Sequence, residues 1–413
     1  MPEFLTLLPP QDALQKLLDH LTVNPVSEQV DSDQALGRVT VTPVLAPHPL
    51  PEFPRTTVDG FAVRAADTYG ASDSLPMYLN LIGEVPMGTA PNFELVPGAC
   101  ALIHTGGMLP LGADAVVMVE HTQSARPSEV EILRAVALGE NVIEIGEDVK
   151  AAAEVIPAGT SLRPAEIGGL MALGITQVEV ARKPQVGIIS SGDEVVPPQK
   201  RPAPGQVRDI NAYTLSAAVH EAGGETRMYG IVSDTRPAMQ SVAERARREC
   251  DLVVITAGSS ASTRDLTAEI LDGLGEPGVL VHGINTRPGK PTILAVCQGV
   301  PMIGLPGNPV SALVNSYLFV VPVLRALLGE QPRPAAIRSA RLTINLPSQA
   351  GREDWVPVKL ISPLKGGSRE VQAEPIFGKS NLIFTLARAD GLLKIPADAN
   401  GLAAGEMVDV YLI

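Results

Sequence analysis

Three short apolar runs constrain this fold most: VGIISSGDEV at 186–195, DLVVITAGSSASTRD at 251–265 and MIGLPGNPVSA at 302–312. Each is rich in β-branched residues and is bounded by Gly or Pro, the pattern of a buried strand rather than an amphipathic helix. Helical patterns lie between them, AYTLSAAVHEAG at 212–223 and RPAMQSVAERARREC at 236–250. Strand and helix therefore alternate from about Lys183 to Leu328, which predicts a parallel sheet covered by helices on both faces. Such sheets bind ligands beyond the carboxyl ends of their strands. Function is thus expected in SSGDE, VSD, AGSSASTRD, RPGKP and LPGNP.

A chain of 413 residues exceeds one ordinary core. Residues 10–24 place Ala13, Leu14, Leu17, Leu18 and Leu21 on one helical face before Pro25. From Val39 to about Val149 the chain turns Pro- and Gly-rich with short β-like runs, and 150–182 reads as a tight turn, a helix starting near Pro164–Glu166 and a strand. This last segment is expected to pack with the first helix. The expected division is a discontinuous, mixed α+β elongated domain (1–45 and 150–182), a small β-domain (46–149), an α/β domain (183–330) and a terminal β-barrel-like domain (331–413).

A net charge of -13 argues against nonspecific binding to nucleic acid or an anionic membrane surface. No run of about 18 apolar residues is present, and Met1–Pro10 lacks the basic and apolar regions of an export signal. A cytoplasmic protein is expected. Cys100, Cys250 and Cys297 have no metal-ligand spacing and read as buried thiols of a reduced compartment.

Several acidic residues follow the core strands: Asp193, Glu194, Asp234 and Asp265. Converging there, they suit Mg²⁺, which takes oxygen ligands and bridges to phosphates; alternatively each caps the helix that follows. The loop at 256–263, with Gly258, Ser259 and Ser260, is a candidate phosphate cradle ahead of a helix. It lacks both the P-loop and the dinucleotide glycine patterns. Arg287 and Lys290 flank a Pro-Gly turn where two cations suit an oxyanion, and Asn308 precedes Pro309 at a helix start. Asp59 and Thr105 lie in Gly-containing turns of the β-rich region, for which plain turns are the alternative.

The ordered set PEFPRTTVDGFAVRAAD, HTGGMLPLGADAVVMVE, GEDVKAAAEVIPAGTSL, SSGDEV, RPGKP and GLPGNPVSA resembles the molybdopterin molybdenumtransferase family, related to the E domain of gephyrin, over nearly the whole chain. The resemblance implies a central α/β domain of molybdopterin-binding type. It also implies an enzyme that takes adenylated molybdopterin and molybdate, uses Mg²⁺, and releases molybdenum cofactor and AMP. A molybdopterin adenylyltransferase would act upstream. The family is a homodimer with its active site shared between subunits, so Asp59 and Thr105 would act across the interface. By the same resemblance Asp59, Glu194, Asp234 and Asp265 are catalytic positions, the last three on the metal side. Lys290, Pro291, Ser311, Arg352 and Ser380 match the molybdate pocket, and Thr105, Gly258, Ser259, Ser260, Arg287 and Asn308 match substrate positions.

Three departures stand out. The family's G-G-x-S-x-G loop is AGSSAS here, a basic run before GED is VIEI at 142–145, and the first lysine of K-P-G-K-P is Arg287. They leave a second reading open, a divergent paralogue that binds pterin or oxyanion without efficient turnover.

Overall fold

The computed structural model describes residues 7–126, 128–257, 261–362 and 370–413, except the side chains of residues 125, 257 and 261–265. The apolar runs become the middle of a six-stranded sheet. Its spatial order is Glu225–Val232, Gln185–Ser191, Leu252–Ala257, Val300–Pro306, Ile293–Cys297, Pro277–His282. The first four strands are mutually parallel, as the alternation with helices requires. Beyond them Ile293–Cys297 runs opposite to both its neighbours, and Pro277–His282 returns to the common direction, so the expected parallel sheet ends in two antiparallel pairings. The cause is local. Gln298 and Gly299, with φ of 52° and 82°, form a two-residue turn between Ile293–Cys297 and Val300–Pro306, too short for a parallel crossover.

Alternation along each strand divides the core between the two sheet faces. Val186 and Ile188 point to one face with Leu252 and Val254, against Leu215 and Val219 of helix Asn211–Glu221. Ile189, Val253 and Ile255 point to the other, against Met239 and Ala243 of helix Arg236–Glu249. A long helix, Pro309–Asn315 continuing through a π-helical turn Ser316–Val320 into Val321–Leu327, closes the first face with Phe319, Val320, Val323 and Leu324. By length and composition this helix could cross a membrane, yet more than half of it is buried inside the protein. It is a core element.

The amphipathic segment at 10–24 is helical over Pro10–Leu18, and its buried Ala13 and Leu17 join the core of the central sheet with Val281 and Leu294. It does not share a core with the 150–182 segment as expected. That segment instead packs Ile156, Leu162, Leu170 and Val178 on Ala35, while Gln177–Ala181 pairs antiparallel with Ser27–Asp31. Helix Pro164–Ala172 starts with Glu166 accepting from Arg163 Nε (3.0 Å) and from the Arg163 backbone N–H (2.9 Å). The guanidinium first, and then the N–H, bring the Glu166 carboxyl down to about 2. A carboxyl depressed in the folded state stabilises above its unfolded value near 4.3 and loses that contribution as pH falls towards 2. Glu166→Gln should therefore lower the thermal midpoint near neutral pH, with the gap closing near pH 2. A gap independent of pH would show that the charge contributes nothing.

Residues 60–132 form a second six-stranded sheet, ordered Ala115–Met118, Gly60–Val63, Ala99–Ile103, Met77–Glu84, Glu129–Ile132, Thr122–Arg126. Near the end of the chain five strands close into a barrel. Glu353–Ile361 pairs with Gln372–Pro375, then follow Ile337–Leu342, Met407–Leu412 and Gly391–Ile395, and the last of these returns to Glu353–Ile361. One short strand from outside joins it: Thr286–Arg287 pairs parallel with Glu353 and Asp354. That ladder ties the barrel to the RPGKP loop of the α/β region.

Candidate active site

A cleft of about 990 Å³ opens where the ladder joins the two units. Its α/β wall is the loop Arg287, Pro288, Gly289, Lys290, Pro291 together with Asn308 and Ser311; its barrel wall carries Arg352, Asp354, Lys379 and Ser380. All five residues matched to the molybdate pocket (Lys290, Pro291, Ser311, Arg352, Ser380) thus line one cavity, with Arg287 and Asn308. Its lining carries four cations, Arg287, Lys290, Arg352 and Lys379, and one carboxylate, Asp354. Such a lining favours a small dianion, and Ser311 and Ser380 supply hydroxyl donors for its oxygens.

The loop is held from beneath. Asn315, fully buried on the long helix, donates through Nδ2 to Pro288 O (3.2 Å) and Ser311 O (2.8 Å). Gly289 passes directly over that amide with a φ of 105°, and a Cβ there would lie 1.6 Å from Asn315 Nδ2. The opposite wall is anchored too, because Val310 N in the first turn of the helix donates to Ser380 O at 2.9 Å.

A second cleft of about 590 Å³ lies beyond the carboxyl ends of the parallel strands and meets the first at Asn308 and Asn381. Glu194 lines it, with Ser190, Ser191, Asp209, Asn211 and Thr256. Asp209 is nearly fully buried and accepts from Ser190 Oγ (2.6 Å) and Ala212 N (3.2 Å); Asn211 Nδ2 donates to Gly307 O (2.8 Å). Among the described residues nothing pairs with the buried Ser191 Oγ or Asn211 Oδ1. Buried polar atoms are ordinarily satisfied, so this wall suits a ligand with both donors and acceptors. Asp209, Asn211 and Asn381 were missed in the sequence. The RDIN run carries no spacing that separates it from a helix cap, and Asn381 had only its neighbour Ser380 to point to it.

The acidic residues follow neighbouring strands. Glu194 comes after Gln185–Ser191, and Asp234 follows Glu225–Val232, with its N–H 3.4 Å from Asp193 Oδ1. Asp265 belongs to helix Ala261–Gly273 after Leu252–Ala257. The Asp265 side chain, and Gly258, Ser259 and Ser260, lie outside the described residues. Among the described residues no three His, Cys, Asp or Glu form a group that could hold a metal ion.

Asp59 and Thr105 come together in the small β-sheet region and line neither cleft. Asp59 Oδ1 accepts from Thr105 N (2.8 Å) and Thr105 Oγ1 (3.1 Å), with His104 Nδ1 at 3.8 Å. The Thr105 backbone N–H, then its hydroxyl, hold this exposed carboxyl below the usual range. Gly60, next in the chain, lets Gly60–Val63 lie close against Ala115–Met118, since a Cβ on it would lie 2.0 Å from Val117 O. The three cysteines are buried and free. Burial pushes Cys100 up to about 12 and Cys297 to about 11, so neither provides a thiolate near neutrality.

Comparison with known proteins gives three matching family descriptions: "MoeA N-terminal region (domain I and II)" over residues 8–174, "Probable molybdopterin binding domain" over 187–326, and "MoeA C-terminal region (domain IV)" over 339–413. A molybdopterin molybdenumtransferase of Nostoc sp. is 34% identical over 394 residues, covering 92% of this chain and 88% of its own. One from Bacillus subtilis is 32% identical over 418 residues, covering 100% and 96%. Among solved structures, a molybdopterin biosynthesis protein of Pyrococcus horikoshii aligns with a TM-score of 0.85 at 32% identity, covering 99% of this chain and 100% of that one.

Proposed function

This chain belongs to the molybdopterin molybdenumtransferase family, and on that premise we propose that it inserts molybdate into adenylated molybdopterin, releasing AMP and molybdenum cofactor. The observation that carries the reading is the pair of adjoining clefts. The cationic one, with Lys290, Pro291, Ser311, Arg352 and Ser380, takes the tetrahedral oxyanion; the other takes the organic substrate, with Asn308 where the two meet and Arg287 on the cationic side. Lys and Arg attract the dianion, and the serine hydroxyls donate to its oxygens.

The carboxylates Glu194, Asp234 and Asp265 follow three adjacent parallel strands, and their oxygens are the donor type that Mg²⁺ takes. Bound there, Mg²⁺ would offset phosphate charge at the adenylate. Glu194 at the cleft orients the attacking oxygen, and Gly258, Ser259 and Ser260, outside the described residues, are the positions assigned to the phosphate. Asp59 and Thr105, which line neither cleft, act across the interface of a homodimer. The four parts at 1–45 with 150–182, 46–149, 183–330 and 331–413 are the domains of this arrangement, with Pro10–Leu18 reaching across to the central sheet. The enzyme works in the cytoplasm on the product of a molybdopterin adenylyltransferase.

The test supplies adenylated molybdopterin, molybdate and Mg²⁺ to the purified protein and follows AMP and cofactor. Turnover is expected; tight binding of the adenylate without AMP would replace this reading with that of a binder. Mixing Asp59→Asn with Lys290→Ala subunits should restore, at low molybdate, a turnover that neither variant reaches alone. No restoration would put both residues in one subunit's site.

A further inference from the structure

We propose that Asp354 is a positioning residue that sets the two guanidiniums of the oxyanion cleft, an inference that rests on the oxyanion reading given above. Its carboxyl is only 6% exposed. Oδ1 accepts from Arg352 Nε at 2.8 Å; Oδ2 accepts from Ser348 Oγ at 3.0 Å and lies 3.8 Å from Arg287 Nη1. The backbone supports the same arrangement, because Arg287 and Asp354 are register partners in the two-residue ladder that joins the barrel to the α/β region. A buried carboxylate is costly without cationic partners. Here its partners stand on opposite walls of one cleft, one contributed by each unit.

The arrangement leaves work for the ligand to do. Arg352 engages Asp354 through Nε, so its two Nη groups remain outside that bond on a residue that lines the cavity. Without the carboxylate, each arginine recovers the rotamer freedom of a long side chain, and the anion must order both as it binds.

Charge and orientation predict opposite signs, which makes the proposal decidable. Asp354→Asn removes one negative charge from a cationic cleft. If Asp354 acted through charge alone, molybdate would bind the variant more tightly. Acting through orientation, it makes the variant bind less tightly despite the added net positive charge. The experiment measures KM for molybdate and kcat for AMP release in the full-length protein, and the molybdate-dependent rise in thermal midpoint without pterin.

For Asp354→Asn, KM should rise about ten-fold, the worth of one charge-assisted hydrogen bond, with kcat nearly unchanged. Ser348→Ala should give a smaller rise in the same direction, and it decides the matter if Asp354→Asn does not fold. In an Arg287→Ala/Arg352→Ala background, Asp354→Asn should add nothing further. Arg352→Ala is the control. If it raises KM while Asp354→Asn and Ser348→Ala leave KM unchanged or lowered, the positioning role falls and the oxyanion reading stands. If Arg352→Ala leaves KM unchanged, the oxyanion reading itself falls, and this proposal with it.

Discussion

Gly289→Ala is expected to give a poorly folding protein with no measurable molybdate insertion. The residue sits at a φ of 105°, where L side chains are strained, and the new methyl would lie 1.6 Å from Asn315 Nδ2. The strain alone costs about 1–3 kcal/mol. Displacing a fully buried amide that holds Pro288 O and Ser311 O leaves polar groups unpaired, at a similar cost. Together they come to about 2–6 kcal/mol, a large share of an ordinary domain's stability. Thermal unfolding and turnover check it, and a wild-type midpoint with unaltered molybdate KM would refute this account of the loop. The double variant Gly289→Ala/Asn315→Ala removes the collision but not the backbone strain, so it should recover part of the stability and little of the activity.

Lys290→Ala is expected to raise KM for molybdate by about 10- to 100-fold, since a hydrogen bond to a charged partner contributes about 1.5–3 kcal/mol. The ammonium is exposed at the turn, and among the described residues no carboxylate engages it in an ion pair. Its removal should therefore leave the fold intact. Lys290→Arg should restore part of the loss, because the charge returns in a different shape. Binding of the adenylate is expected to be unaffected, since Lys290 does not line the second cleft. If kcat fell and KM stayed fixed, Lys290 would be acting in the chemical step rather than in capturing the anion.

Local pattern carried the central sheet. Runs such as Val186–Ser191 and Leu252–Ile255 are apolar on both faces and short, which defines buried parallel strands before any coordinates exist. The antiparallel edge was not legible because Gln298-Gly299 lacks the usual Asn-Gly signature, although both residues adopt the left-handed turn. Packing partners were less legible still. The apolar face of Pro10–Leu18 announces that it must be covered, but nothing in it says that the central sheet does the covering. In the site, Arg287, Lys290 and Asn308 stood out by charge and turn chemistry, whereas Arg352 and Ser380 were found through family resemblance. Asp354 had no local signal at all. Its importance comes from a pairing between residues 286–287 and 353–354, a relation that no spacing rule expresses.

The ladder of Thr286–Arg287 against Glu353–Asp354 also sets a schedule. One wall of the cationic cleft is complete when the ribosome has passed the long helix ending at Leu327, but the facing wall comes from residues 352–385 and needs a barrel whose last strand is Met407–Leu412. The capacity to grip an oxyanion is thus among the last properties a growing chain acquires.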